Sequence, residues 1–116
     1  MHELAITQGI LDLVTEHAAA AGAARVTAID VVVGEMSGFL PDSIQFYWDE
    51  LSEGTVARGA TLRFRRVPLR LACVDCGSLF PPGDGCFDCS ACGSPRVRVA
   101  QGRELRVESI DVEETA

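Results

Sequence analysis

The chain has 116 residues, 47% of them hydrophobic, and a formal net charge of -7. That length holds one compact domain, or a small domain carrying an inserted module, but not two domains with separate cores. The charge argues against a general phosphate-backbone binder, because that affinity comes from Lys and Arg displacing counterions. There is no lysine: all ten basic residues are arginines, many of them within 63–70 and 96–106.

The N-terminus has no secretory pattern, since Glu3 and Asp12 interrupt the apolar residues and no basic region precedes them. No apolar run is long enough to span a bilayer. A soluble cytoplasmic protein is the expectation, with no membrane partner. In that reducing compartment five cysteines gathered between positions 73 and 92 read as metal ligands or reactive thiols, not as a disulfide framework.

Residues 3–21 carry Ile6, Ile10, Leu13, Val14, Ala18 and Ala21 at helical spacing, and Gly22 stops the pattern. His17 falls on the apolar side and reads as a core or boundary histidine, because no second donor sits one turn away. "RVTAIDVVVGE" is β-branched and reads as a strand. Pro41 and Asp42 then suit the first turn of a second amphipathic helix, with Ile44, Tyr47, Trp48 and Leu51 on its inner face and Gly54 at its end. At that spacing the cluster Phe46, Tyr47 and Trp48 reads as core and not as a stacking platform.

"ATLRFRRVPLRL" alternates Leu62, Phe64 and Val67 with arginines and reads as a strand that Pro68 places at an edge or ends. "ELRVESIDVE" alternates again, with a register shift near Ser109. The fold class expected is α+β: two helices packed on a small three-stranded sheet, with an inserted four-cysteine zinc module. The last two strands are expected to pair antiparallel with the module at their connection. In domain terms this is 1–70 plus 97–116 around an insert at 71–96.

Within the insert, "CVDCG" and "CSACG" are two knuckles. Four thiolates from Cys73, Cys76, Cys89 and Cys92 satisfy a tetrahedral ion, and the glycine after each pair suits a turn of positive φ. Cys86 also forms a C-x-x-C with Cys89, but Ser90 stands where that glycine belongs, so Cys86 is read as an accessory thiol. A closed four-thiolate site leaves no position for a substrate, so its role is structural, with zinc preferred to a rubredoxin-like iron. The arginines flanking it, Arg70, Arg96 and Arg98, either offset its charge or form the wet faces of strands.

With "MHEL" at the start, "PDSIQF" opening the second helix, "EGTVARGATL" before a strand, the two knuckles, and "GRELRVESIDVE" at the end, the chain resembles the HypA/HybF family of nickel metallochaperones for [NiFe] hydrogenase maturation. The resemblance runs nearly end to end. It implies that His2 is the principal Ni(II) ligand, with Met1 contributing its α-amine and His2 and Glu3 their backbone nitrogens. It implies structural Zn(II) on Cys73, Cys76, Cys89 and Cys92. The partners it implies are the GTPase HypB and the hydrogenase large-subunit precursor, with nickel as cargo and the protein a non-enzymatic carrier, monomer or homodimer. The rival reading of the residues is a zinc-ribbon adaptor that binds protein or nucleic acid through its arginine-bearing strands.

Overall fold

The structure is a computed structural model and describes residues 2–83 and 87–114, the side chain of His2 excepted. It is mixed α+β. Helix α1 spans His2–Ala20 and α2 spans Pro41–Leu51; the strands are β1 (Ala23–Gly34), β2 (Thr61–Val67), β3 (Arg70–Cys73), β4 (Leu79–Phe80), β5 (Val97–Gln101) and β6 (Leu105–Glu114). They form two three-stranded sheets, ordered β2-β1-β6 and β4-β3-β5. No described helix is long and apolar enough to cross a membrane.

Two compact units result. The first comprises Met1–Val32, Phe39–Arg65 and Arg106–Ala116, and the second Val33–Gly38 and Arg66–Leu105.

In the first unit α1 buries Thr7, Ile10, Leu11, Val14 and Ala18. These positions recur every three or four residues and so form one stripe. Leu13 and His17 lie beside that stripe, not on it, and both are exposed, which corrects the placing of His17 on the apolar side. The helix ends where Gly22 takes φ 67°. In α2 Pro41 occupies the first turn and Ile44 and Trp48 are buried. Trp48 bears out the core reading of its aromatic cluster; Phe46, 66% exposed, does not.

Strand β1 is buried on both faces at its end, where Val31, Val32 and Val33 have no exposed surface. A strand covered on both sides belongs in the middle of a sheet, and β1 sits between β2 and β6. The last two long strands, β2 and β6, therefore do not pair as the sequence suggested. The hydrogen bonds give the directions. Asp30 meets Ser109 and Thr27 meets Asp111, so β6 runs opposite to β1. Asp30 meets Arg63 and Glu35 meets Val67, so β2 runs with it. A parallel neighbour needs a crossover, which α2 supplies. The alternation of β6 breaks at Ser109, as its sequence implied: Val107 and Ile110 are half-buried, with two exposed residues between them.

In the second unit the antiparallel pair is β3 with β5, in register Leu71 to Val99 and Cys73 to Val97, while β4 pairs on the other side of β3. Leu71, Cys73, Phe80 and Cys89 make a small buried cluster, with Leu69, Val97 and Val99 packed against it.

Candidate metal centre

Strand β3 delivers Cys73 into that small core, and the chain then turns through Cys76 to Gly77, which takes φ 76°. The second knuckle repeats the geometry, with Gly93 at φ 75°. The two loops share two backbone hydrogen bonds. The Gly77 N–H donates to the Cys73 carbonyl at 3.0 Å and the Gly93 N–H to the Cys89 carbonyl at 2.8 Å. The N–H of Cys73 donates to the Ser78 carbonyl at 3.0 Å, and that of Cys89 to the Ser94 carbonyl at 2.9 Å. Amides also point at sulfur: Cys76 N–H at Cys73 Sγ, and Ala91 and Cys92 N–H at Cys89 Sγ, each at 3.4 Å. A Cβ in place of either glycine hydrogen would force a side chain into the left-handed region that these turns require.

The loops bring the Sγ atoms of Cys73, Cys76, Cys89 and Cys92 within 4.8 Å of one another, the first cysteine of each knuckle buried and the second exposed. Two of the separations run between knuckles: Cys73 to Cys92 and Cys76 to Cys89, both 3.6 Å. These exceed a disulfide bond of about 2.05 Å. They match the edge of about 3.8 Å of a tetrahedron whose metal–sulfur bonds are about 2.3 Å. The donor set and its spacing fit a tetrahedral thiophilic ion. Cys86 lies outside the described residues.

Protons on these thiols are held unequally. Hydrogen bonds from the Ser78 hydroxyl and then its backbone N–H bring the Cys76 thiol down to about 6. At Cys92 the backbone N–H of Ser94 lowers the thiol, but its bonds to Cys73 and Cys89 outweigh this and push it up to about 12. Four adjacent sulfurs cannot all become anions without a cation between them.

A clasp ties the knuckles outside the sulfurs. The Ser94 hydroxyl donates to Asp75, and Arg96 pairs with the same carboxylate, its Nε 3.4 Å from Oδ2. The Arg96 guanidinium and then the Ser94 hydroxyl hold the Asp75 carboxyl below the usual range. Arg96 is thus engaged by Asp75. The sequence carried a signal for this that cysteine spacing alone overlooks: each knuckle closes with the same Cys-Gly-Ser triplet, at 76–78 and 92–94.

At the other suggested site, Met1 and the side chain of His2 lie outside the described residues. Glu3 sits in the first turn of α1, where an acidic residue complements the helix dipole, and its carbonyl accepts the Thr7 hydroxyl at 2.5 Å.

A family described as "Hydrogenase/urease nickel incorporation, metallochaperone, hypA" matches residues 1–112. The hydrogenase maturation factor HypA of Caldanaerobacter subterraneus subsp. tengcongensis is 41% identical over 114 residues, 97% of this chain and all of that protein. The same factor from Geobacter metallireducens is also 41% identical over 114 residues, with the same coverage. A solution structure of a HypA protein superposes with TM-score 0.75 at 28% identity, covering 97% of this chain and 96% of that one. The nickel metallochaperone HypA from Helicobacter pylori superposes with TM-score 0.68, covering 97% and 98%; at 23% identity this likeness speaks for the fold. The chain belongs to the HypA family of nickel metallochaperones for hydrogenase maturation.

Proposed function

We propose that this protein binds Ni(II) at its Met1-His2-Glu3 segment and delivers it to the [NiFe] hydrogenase large-subunit precursor in the cytoplasm, working with the GTPase HypB. The observation that carries this reading is the match to a nickel-incorporation family over residues 1–112, which includes the N-terminal segment. The chemistry agrees with it. The α-amine of Met1, the amide nitrogen of His2 and the imidazole Nδ1 of His2 close two fused chelate rings, a planar nitrogen field that Ni(II) accepts. Helix α1 begins at His2, and the hydrogen-bond ladder of a helix makes no use of the amide that begins it. A site with few ligands at a chain end also releases its cargo readily.

Cys73, Cys76, Cys89 and Cys92 hold Zn(II) in this reading. The ion neutralises the crowded thiolates and joins the two knuckles, a structural task that leaves no open position for catalysis. The nickel-binding domain is then 1–70 plus 97–116, and the zinc module 71–96.

Nickel titration by calorimetry, together with zinc analysis, tests the reading. Replacing His2 with Ala, or adding a tag before Met1, is expected to abolish nickel binding while zinc content and circular dichroism stay unchanged. Nickel affinity preserved in His2→Ala would overturn it.

A further inference from the structure

The second unit carries a groove that neither the cysteine cluster nor the N-terminal segment uses. It encloses about 410 Å³, and its apolar lining is Met36, Leu69, Leu71, Phe87, Val97 and Val99. Leu71 belongs to the small buried cluster and forms a fixed floor. Met36 and Phe87, 50% and 53% exposed, leave large apolar surfaces open to water.

Two arginines complete the lining, Arg98 and Arg103. Their situation differs from that of the arginines elsewhere. Arg25, Arg58, Arg63, Arg65, Arg96 and Arg106 each meet a carboxylate. Among the described residues Arg66, Arg70, Arg98 and Arg103 have no such partner, and all four fall in the second unit. That unit balances five arginines against five acidic residues, so the whole excess of seven negative charges belongs to the first. Within the second unit Asp75 is occupied by Arg96, and a Glu104 carboxylate oxygen accepts the Gly102 N–H. The groove is therefore lined by an open apolar surface and by two arginines that meet no carboxylate among the described residues.

We propose that this groove docks an acidic segment of a partner protein, a short stretch in which a bulky apolar side chain lies between carboxylates. The volume accommodates one or two such side chains, the size of an anchor pocket at a protein interface. Arg98 and Arg103 then take the flanking carboxylates as forked, charge-assisted pairs. A nucleic acid fits less well: its affinity is won by many cations along a backbone, and this chain is acidic overall.

The test uses full-length, zinc-loaded protein and a fluorescent pool of peptides of about ten residues, each with Leu, Ile, Phe or Trp among Asp and Glu. The expected result is saturable binding with amide shifts at Met36, Leu69 and Arg103 and along 97–99. Paired replacement Arg98→Glu with Arg103→Glu weakens it about tenfold or more, Phe87→Ala weakens it severalfold, and Arg25→Glu leaves it unchanged. Both Phe87 and the two arginines are exposed, so these variants keep the fold, and zinc content verifies that. The proposal fails if the pool causes no shifts at the groove, or if lysine-for-acid counterparts bind equally. It also fails if the paired variant binds as before, if an oligonucleotide takes the same arginines more tightly, or if a second copy of the chain displaces the peptides.

Discussion

Gly34 and Gly102 touch backbone to backbone: a Cβ built on Gly34 would lie 2.2 Å from the Gly102 carbonyl oxygen and 2.6 Å from the Glu104 nitrogen. Around this contact the Gly34 N–H donates to the Glu104 carbonyl at 2.6 Å, the Met36 N–H to the Gly102 carbonyl at 2.7 Å, and the Glu35 N–H to the Val67 carbonyl at 2.8 Å. Residues 34–36 are thus held between the two stretches of chain that lead into and out of the β3–β5 pair. Gly34→Ala has no side chain to push aside, only backbone. It is expected to destabilise the protein by about 3 kcal/mol, the upper end of the overpacking range, read as a lowered urea midpoint. A midpoint equal to that of the native protein would contradict the contact.

Metal removal is expected to act unevenly. Two of the four residues in the small cluster of the second unit, Cys73 and Cys89, are also among the four facing thiols. Without an ion to hold them that cluster has little else to bury. A strong chelator should therefore erase the amide signals of β3, β4 and β5 while those of α1 and α2 persist. No loss would show that the cluster does not depend on metal, and uniform loss that the first unit depends on it as well.

Acid should weaken zinc binding in a defined way. With Cys76 down to about 6 and Cys92 up to about 12, the first is ionised at neutral pH and the second still protonated. A metal ion held by all four sulfurs would displace the remaining protons, so affinity is expected to fall as pH falls, and more steeply below about 6, where Cys76 also takes up a proton. Competition with a chromogenic chelator across that range measures the slope. A flat profile would mean that the thiols are not the ligands.

Asp30 receives Arg63 as a fork, at 2.8 and 2.9 Å, and the Ser109 hydroxyl at 2.7 Å. The Arg63 guanidinium and then the Ser109 hydroxyl hold its carboxyl below the usual range. Because the folded value is the lower one, the stabilisation is present above the unfolded value, about 3.9, and is lost as pH falls through the folded value. About a third of the Asp30 side chain, 32%, is open to water, so the effect is small and salt-sensitive. Asp30→Asn should be less stable than the native protein at pH 7 and should lose less stability between pH 4 and pH 2. Equal slopes for the two proteins would remove Asp30 from the acid response.

Trp48 is 1% exposed, and its Nε1 meets no acceptor among the described residues. Trp48→Ala is expected to cost about 3–5 kcal/mol through the cavity it leaves. Trp48→Phe should cost much less, because it also removes a buried donor that lacks a partner. Thermal melts of the two variants check the order; a reversed order would mean that the indole N–H is satisfied.

Local patterns were readable without the fold. The helices, β1, β2 and β6 follow from periodicity and from glycine and proline stops, because those signals span many residues. The spacing of Cys73, Cys76, Cys89 and Cys92 singled out the four thiols that the fold brings together. Strands β3, β4 and β5, of four, two and five residues, are too short for a periodic signal, so their sheet, which reaches across both ends of the expected insert 71–96, was not foreseen. His17 was misplaced because one helical position is a rotation of about 100°, enough to carry a side chain from the core into water.

The sequence by itself determined what depends on neighbours along the chain: which segments are helical, where the knuckles turn, and that four thiols share one short stretch. Only the tertiary structure decided that β1 lies between β2 and β6, that Cys76 faces Cys89 across the knuckles, that Asp75 is clasped by Ser94 and Arg96, and that Arg98 and Arg103 border an apolar groove. Strand order and side-chain partnership depend on burial and hydrogen bonding summed over segments distant in sequence, and no local window contains that sum.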